Sequence, residues 1–375
     1  DHKKKHINLI DTPGYPDFIG QTIGALRAVD TAAIVINASA GIEVNTRRVF
    51  AEAKAAGIGR MIIINKLDAD NLDFPNLLET IQDVFGPECV PLNVPIGTGR
   101  NFQGVASTLT SSGDAAGAVI DPAEIHDSLI ESIVMADEAM MESYLEGNMP
   151  TEEQLSTLLV QAVADGSLVP IICVSGKTGT GLAELLDALV MCALPPGVPK
   201  RTAQNAAGEP VELKADPAGP LVAQVFKTRI DPFVQKLNFI RVFSGTLKRD
   251  AVVPATGVRK GLKIAQLLCV QADETTPVDE APAGSIVAIA KLEDLQTGMT
   301  LGEPVMPPIK FPTPMVGLAV TPKSRADQTK LSGALHKLVE EDPTFHRELD
   351  MQTKETVITG MSELHLQIIQ ERLKR

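Results

Sequence analysis

Met61-Ile62-Ile63-Ile64-Asn65-Lys66-Leu67-Asp68 is the stretch from which this chain can be read. Four apolar residues, the length of a short buried strand, run directly into a polar loop. An ionised Asp68 is an acceptor-only group whose two oxygens match the N1–H and N2–H donors of guanine, a pair that adenine lacks. The amide of Asn65 can tie such a loop together, and the aliphatic stem of Lys66 can cover a base. A solvated Asn-Lys turn is the plain alternative. Two further loops have the same design. Ile7-Asn8-Leu9-Ile10 reads as a strand delivering Asp11-Thr12-Pro13-Gly14 to its tip, and Ile171-Ile172-Cys173-Val174 reads as a strand delivering Ser175-Gly176-Lys177. Open α/β sheets place ligand chemistry at such strand ends.

Each loop has its own chemistry. A carboxylate at Asp11 can hold a water on Mg²⁺, a hard cation that keeps much of its hydration shell. Gly14 has no side chain, so its N–H can approach a γ-phosphate and swing away when that phosphate leaves. Asp-Thr-Pro-Gly alone is also an ordinary tight turn. Backbone N–H groups of Ser175-Gly176-Lys177 can meet a guanine O6. The order of the three motifs, each after an apolar run, points to a guanine-nucleotide switch. A phosphate-gripping G-x-x-x-x-G-K-[ST] loop is missing: Gly176-Lys177-Thr178 comes nearest, but Ile171 stands where the first glycine belongs. Because the chain begins with Asp1, inside a strand-like run, truncation is expected, and with it very weak GTP affinity for this polypeptide alone.

Around these loops, helix-like segments at 17–28, 45–56, 75–85 and 182–191 alternate with strands at 32–37 and 61–64, as parallel β-α-β units require. Residues 198–219 are rich in Ala, Gly, Pro and charge, and read as a linker. Short β-rich segments such as 221–227 and 237–242, separated by Gly and Pro turns, then predict a small barrel. The remainder reads strand (316–320), helix (326–340), two strands (345–350 and 356–359) and helix (362–372), a split β-α-β order without its last strand.

With these residues in view, the chain resembles bacterial elongation factor G, a translational GTPase, over essentially its whole length. Asp11-Thr12-Pro13-Gly14-Tyr15-Pro16-Asp17-Phe18, Asn65-Lys66-Leu67-Asp68 and Val90-Pro91-Leu92-Asn93-Val94-Pro95-Ile96-Gly97 carry the resemblance first. It continues through Asp231-Pro232-Phe233-Val234, Arg241-Val242-Phe243-Ser244-Gly245, Thr297-Gly298, Glu341-Asp342-Pro343-Thr344-Phe345 and Gly360-Met361-Ser362-Glu363-Leu364-His365-Leu366. The resemblance implies an α/β P-loop-type GTPase domain without its phosphate loop (1–200, with an insert at about 93–170), an all-β barrel (217–306) and a partial ferredoxin-like α+β domain (313–375). It also implies GTP or GDP and Mg²⁺ as ligands, ribosomal RNA and the ribosomal stalk protein as partners, a monomeric state, and translocation or ribosome disassembly as the task.

Two departures stand out. The family has His at Tyr15, where it positions the attacking water. A phenol can still donate and accept one hydrogen bond but cannot become an imidazolium. Tyr15 therefore suggests a paralogue with slow or differently triggered hydrolysis, or a ribosome-binding module that has lost it. Ser362 replaces a family Gly, yet Ser is a good N-cap, so the following helix should survive. A ribosomal protection protein or peptide release factor fits less well, given the Val-Pro-Ile-Gly opening and the acidic insert.

Formal charge is −13 in 375 residues. Between Asn101 and Gly176 there are twelve Asp and Glu and no Lys or Arg, so the acidity belongs to the insert and the rest is close to neutral. Asp121-Pro122-Ala123-Glu124 reads as a capped helix start. At 100° per residue, one continuous helix would align Glu124, Asp127, Glu131, Glu138 and Glu142 as a ridge opposite Ile125, Leu129, Ile133, Ala136 and Met140. The ridge is either a solvated face or a dock for the basic stalk protein. Cys89, Cys173, Cys192 and Cys269 have no paired spacing, and the six histidines form no metal motif, with His365 expected on a helix surface. No apolar run reaches the roughly eighteen residues of a spanning helix, so a cytoplasmic location is the default.

Overall fold

The computed structural model describes residues 1–110, 115–231, 235–322 and 324–374. The chain divides into two compact units, residues 1–8 with 29–199, and residues 9–28 with 200–375. Helix α1 (Ile19–Ala28), preceded by a 3-10 turn at Pro16–Phe18, belongs to the second.

The first unit is built on a parallel sheet of β1 (Thr31–Asn37), β2 (Gly59–Asn65), β3 (Cys89–Pro91) and β6 (Val169–Cys173), in the order β1-β2-β6-β3. Its centre is β2, where Met61, Ile62 and Ile64 are wholly buried. That is why the sequence there is a continuous apolar run rather than an alternation. β1 meets β2 from Thr31 opposite Gly59 to Asn37 opposite Asn65, and β2 meets β6 from Ile62 opposite Ile171 to Ile64 opposite Cys173. The C-terminal ends of β2 and β6 therefore finish side by side.

Helices α2 (Val44–Ala55) and α3 (Phe74–Phe85) flank the sheet. Asp73 caps α3 by accepting from the Asn76 N–H, and Leu77, Leu78, Ile81 and Phe85 form its buried stripe. The Phe50 and Phe85 rings stack at 4.2 Å. Beyond the hairpin of β4 (Asn93–Ile96) and β5 (Gly104–Ser107) come α4 (Pro122–Val134), α5 (Glu138–Leu145) and α6 (Glu152–Asp165), before α7 (Leu182–Cys192) closes the unit.

Three expectations are corrected. Ile7–Ile10 forms no strand, and Leu9 is 77% exposed. None of the described strands pairs with it, and an unpaired extended run leaves its N–H and C=O groups to water. The acidic ridge is not one helix. Asp137 interrupts the run and caps α5 through the Met140 N–H, so Glu124, Asp127 and Glu131 lie on α4 while Glu138 and Glu142 lie on α5. Ile125, Leu129 and Ile133 are buried as expected, whereas Ala136 and Met140 are only partly so. Residues 198–219 are not a bare linker: β7 (Arg201–Gln204) pairs with β8 (Pro210–Leu213) around an Asn205 turn. Ala203, Val211 and Leu213 pack on Val222, Phe243 and Met306.

In the second unit, β9 (Val222–Asp231) and β10 (Gln235–Ser244) are central to a six-stranded antiparallel sheet. Val225, Ile240, Val242, Ile264 and Ile289 are among its core residues. Pro232-Phe233-Val234, part of the motif quoted for the barrel, lies outside the described residues. The C-terminal part pairs strand Val316–Val320 with Thr356–Gly360, and that strand with His346–Leu349, all antiparallel. Helices α8 (Arg325–Glu341) and α9 (Glu363–Leu373) complete it, with Leu335, Phe345, Ile358 and Leu366 in its core. α1 lies against β9, where a Cβ on Gly24 would stand 2.6 Å from the Phe226 carbonyl oxygen.

Candidate functional site: a braced carboxylate at adjoining strand ends

Because β2 and β6 are neighbours in parallel, the loops after them emerge together. Asn65, the last residue of β2, turns its side-chain oxygen to both, accepting from the Lys66 N–H at 2.7 Å and from the Gly176 N–H at 2.9 Å. Lys66 then takes a left-handed conformation, φ +66°. This is uncommon for a residue with a Cβ and tolerable where surrounding bonds fix it. Leu67 is buried and donates its N–H to the Val174 carbonyl.

Asp68 follows with its side chain 17% exposed. The Ser175 hydroxyl donates to its Oδ1 at 2.7 Å, and Lys177 Nζ stands 3.6 Å from its Oδ2. Ser175 Oγ also accepts from the Thr178 N–H. The Ser175 hydroxyl holds the Asp68 carboxyl below the usual carboxylate range; partial desolvation opposes this, and Lys177 adds to the lowering. At neutral pH Asp68 is thus an ionised acceptor fixed in place by a neighbouring loop. Asn65, Lys66, Asp68, Ala69, Asp70, Gly176 and Lys177 line a cleft of about 430 Å³, within the range of small-ligand sites.

Asn65, Lys66, Asp68, Ser175, Gly176 and Lys177 are brought together in the first unit. One detail differs from the sequence reading. The Gly176 N–H is engaged by Asn65 and the Ser175 N–H by the Thr180 carbonyl, so two of the three N–H groups of this motif already have partners within the protein. Asp11, Thr12, Pro13, Gly14 and Tyr15 lie in the segment that belongs to the second unit, with Asp11 and Gly14 exposed and Tyr15 67% exposed. Among the described residues no group of three His, Cys, Asp or Glu side chains could hold a metal ion. A single carboxylate such as Asp11 suits Mg²⁺ that takes its other ligands from waters and phosphates.

A cleft of about 1560 Å³ in the second unit contains none of these residues, and its Lys236 is engaged by Glu340 and the Glu293 carbonyl. His365 contradicts its expected surface position. It is 1% exposed and its Nε2 stands 3.0 Å from Asp342 Oδ2.

Residues 1–195 match the elongation factor Tu GTP binding domain, residues 220–303 match elongation factor G domain 2, and residues 311–375 match Elongation Factor G, domain III. The chain belongs to the elongation factor G family of translational GTPases. A crystal structure of a protein from Thermus thermophilus is similar to this elongation factor chain at a TM-score of 0.83 and 30% identity. The match covers 97% of the chain and 55% of the Thermus protein, so the chain spans about half the length of that relative. In this family the GTP-binding domain implies guanine-nucleotide binding.

Proposed function

We propose that the factor binds GTP and GDP through Asn65, Lys66, Asp68 and Lys177, and hydrolyses GTP on the ribosome during translocation or ribosome disassembly. The observation that carries this reading is the ionised Asp68 carboxylate, held by Ser175 at the mouth of a cleft and offering two acceptors to the paired donors of guanine. Asp11 would hold Mg²⁺ through a water and Gly14 would sense the γ-phosphate. The ion would stabilise charge on the phosphates, and the chain would contribute positioning, as in other phosphoryl transfers. The first 200 residues act as the nucleotide domain, 217–306 as a barrel domain and 313–375 as a third domain, in a monomeric, cytoplasmic factor. The exposed acids of α4 and α5 would steer the insert to the basic stalk protein and ribosome. Reversing Glu124, Asp127 and Glu131 should slow ribosome association at low salt.

A second reading, ribosome binding without hydrolysis, is favoured by Tyr15, whose exposed phenol cannot take up a proton as the family's imidazole can. Titration of the full-length protein with fluorescent GDP, in competition with GTP and ATP, tests the first half of the proposal. GTP should compete, ATP should not, and Asp68→Ala should weaken binding at least about tenfold by removing a charged acceptor. Equal competition by ATP would refute guanine selection. Phosphate release from GTP with Mg²⁺ and ribosomes separates the readings: turnover supports the GTPase, and binding without turnover supports the second.

A further inference from the structure

Away from the guanine cleft, a compact cluster in the second unit seats the turn that follows the Asp11–Gly14 loop. Ser362 Oγ donates to the Asp17 carboxylate and, as N-cap of α9, accepts from the His365 N–H at 3.1 Å. His365 Nδ1 accepts from the Met361 N–H at 3.1 Å, which leaves the ring hydrogen on Nε2, facing Asp342 Oδ2 at 3.0 Å. Asp342 Oδ1 accepts from the N–H and the hydroxyl of Thr344 at 2.8 and 2.6 Å. The Phe18 ring meets the edge of His365 at 5.7 Å, and a Cβ on Gly20 would strike the Thr344 methyl at 2.5 Å. Asp17, Phe18 and Gly20 are therefore each seated on the third domain, by a hydroxyl, an imidazole and a methyl group.

Tyr15 is the N-cap of this 3-10 turn, and its carbonyl accepts from the Phe18 N–H at 3.1 Å. Its backbone direction is thus set by a turn whose middle residue, Asp17, is held by Ser362. The glycine that the family has at position 362 could cap nothing with a side chain and could not hold Asp17. Tyr15 and Ser362 are both departures from the family, and the structure links them through two residues.

We propose that Ser362 is a positioning residue for Tyr15: its hydroxyl, bonded to Asp17, fixes the Pro16–Phe18 turn and so sets the angle at which residue 15 is presented during GTP hydrolysis. The proposal rests on the GTPase reading above, and the test keeps the two apart. In the full-length protein, Ser362→Asp keeps an oxygen to cap α9 but sets a like charge against Asp17. Ser362→Thr keeps both bonds. The double variant Asp17→Asn with Ser362→Asp restores a donor and an acceptor in exchanged places.

Hydrogen exchange at the Phe18 amide reads the turn directly, and ribosome-stimulated GTP turnover reads its consequence. Ser362→Asp should speed Phe18 exchange and lower kcat roughly tenfold, with the Kd for fluorescent GDP unchanged, as loss of one charge-assisted hydrogen bond implies. Ser362→Thr should match the wild type, and the double variant should recover both signals. Unchanged Phe18 exchange in Ser362→Asp overturns the bond as a determinant of the turn. Faster exchange with unchanged kcat overturns the positioning role. Absence of turnover in the wild type, with the exchange pattern as expected, refutes the GTPase reading and with it the positioning role, while leaving the turn's dependence on Ser362 established.

Discussion

Gly24 and Gly333 both lie in helix interiors, and replacing each by alanine should change stability in opposite directions. Alanine is favoured over glycine in a helix by about 0.8–1 kcal/mol, chiefly because glycine loses more backbone entropy on folding. At Gly333, exposed in α8, an added Cβ meets nothing within 4 Å, so Gly333→Ala should gain most of that amount. At Gly24 in α1 the new Cβ would stand 2.6 Å from the Phe226 carbonyl oxygen, about 0.8 Å inside ordinary contact at 3.4 Å. The obstacle is main chain of β9, at the bulge in its pairing with β10, and cannot rotate away as a side-chain tip would. Overpacking of this kind costs about 1–3 kcal/mol. Set against the helix gain, Gly24→Ala should lose up to about 2 kcal/mol, which places the two variants about 1–3 kcal/mol apart. Native-state hydrogen exchange resolved over residues 19–28 and 325–341 measures each helix separately and needs no assumption of two-state unfolding. Protection of α1 in Gly24→Ala equal to or above the wild type would refute its close approach to β9.

Restoring the family residue with Tyr15→His should raise ribosome-stimulated GTP turnover at least about tenfold if residue 15 positions or deprotonates the attacking water, as general-base effects run; an unchanged rate removes residue 15 from the chemistry. Burial pushes the Asp342 carboxyl up, but the neighbouring His365 ring and bonds from Thr344 outweigh it and hold the group below its ordinary value of 3.8. A depressed carboxyl stabilises the fold above 3.8 and loses that contribution as pH falls below it. Acid unfolding monitored over residues 342–366 should therefore be less steep below pH 4 in Asp342→Asn, and an unaltered acid limb would contradict this. Burial pushes the thiols of Cys89 and Cys192 up to about 12 and raises that of Cys173 as well, whereas Cys269 is exposed. A thiol reagent should modify one cysteine in the native protein and four in denaturant, and rapid labelling of a second would show that one of these cores opens.

What the sequence discloses depends on whether neighbours in the chain decide the outcome. The run from Met61 to Ile64 is buried on both faces, so its composition alone announces a central strand. Strand 316–320, α7 and α9 have similarly strong local signals, and the Ser362 cap is formed as a serine before a helix suggests. Ile7–Ile10 has the composition of a strand but no partner among the described strands, and pairing is a property of two segments. In β7 and β8 only alternate residues are apolar, and Asn205, Gly208 and Glu209 between them have the composition of a linker. Helical periodicity carried straight through Asp137 because a cap and a mid-helix aspartate look alike until the backbone turns. His365 looked superficial because burial of an ionisable ring requires a partner, and Asp342 is 23 residues away in sequence. In the candidate site, the residue types at 65, 66, 68 and 175–177 were legible. The engagement of the Gly176 N–H by Asn65 was not, since it joins loops more than a hundred residues apart.

That single amide oxygen of Asn65 has a thermodynamic corollary. A ligand shifts an equilibrium between two shapes only through contacts that differ between them. Under the proposed function, two loops welded at their bases would present the same face to a purine whether two or three phosphates hung from it. The base end of the cleft would then supply tightness and choice of letter, but no preference between the loaded and discharged forms. All of that preference would have to arise from the residues that face the phosphates.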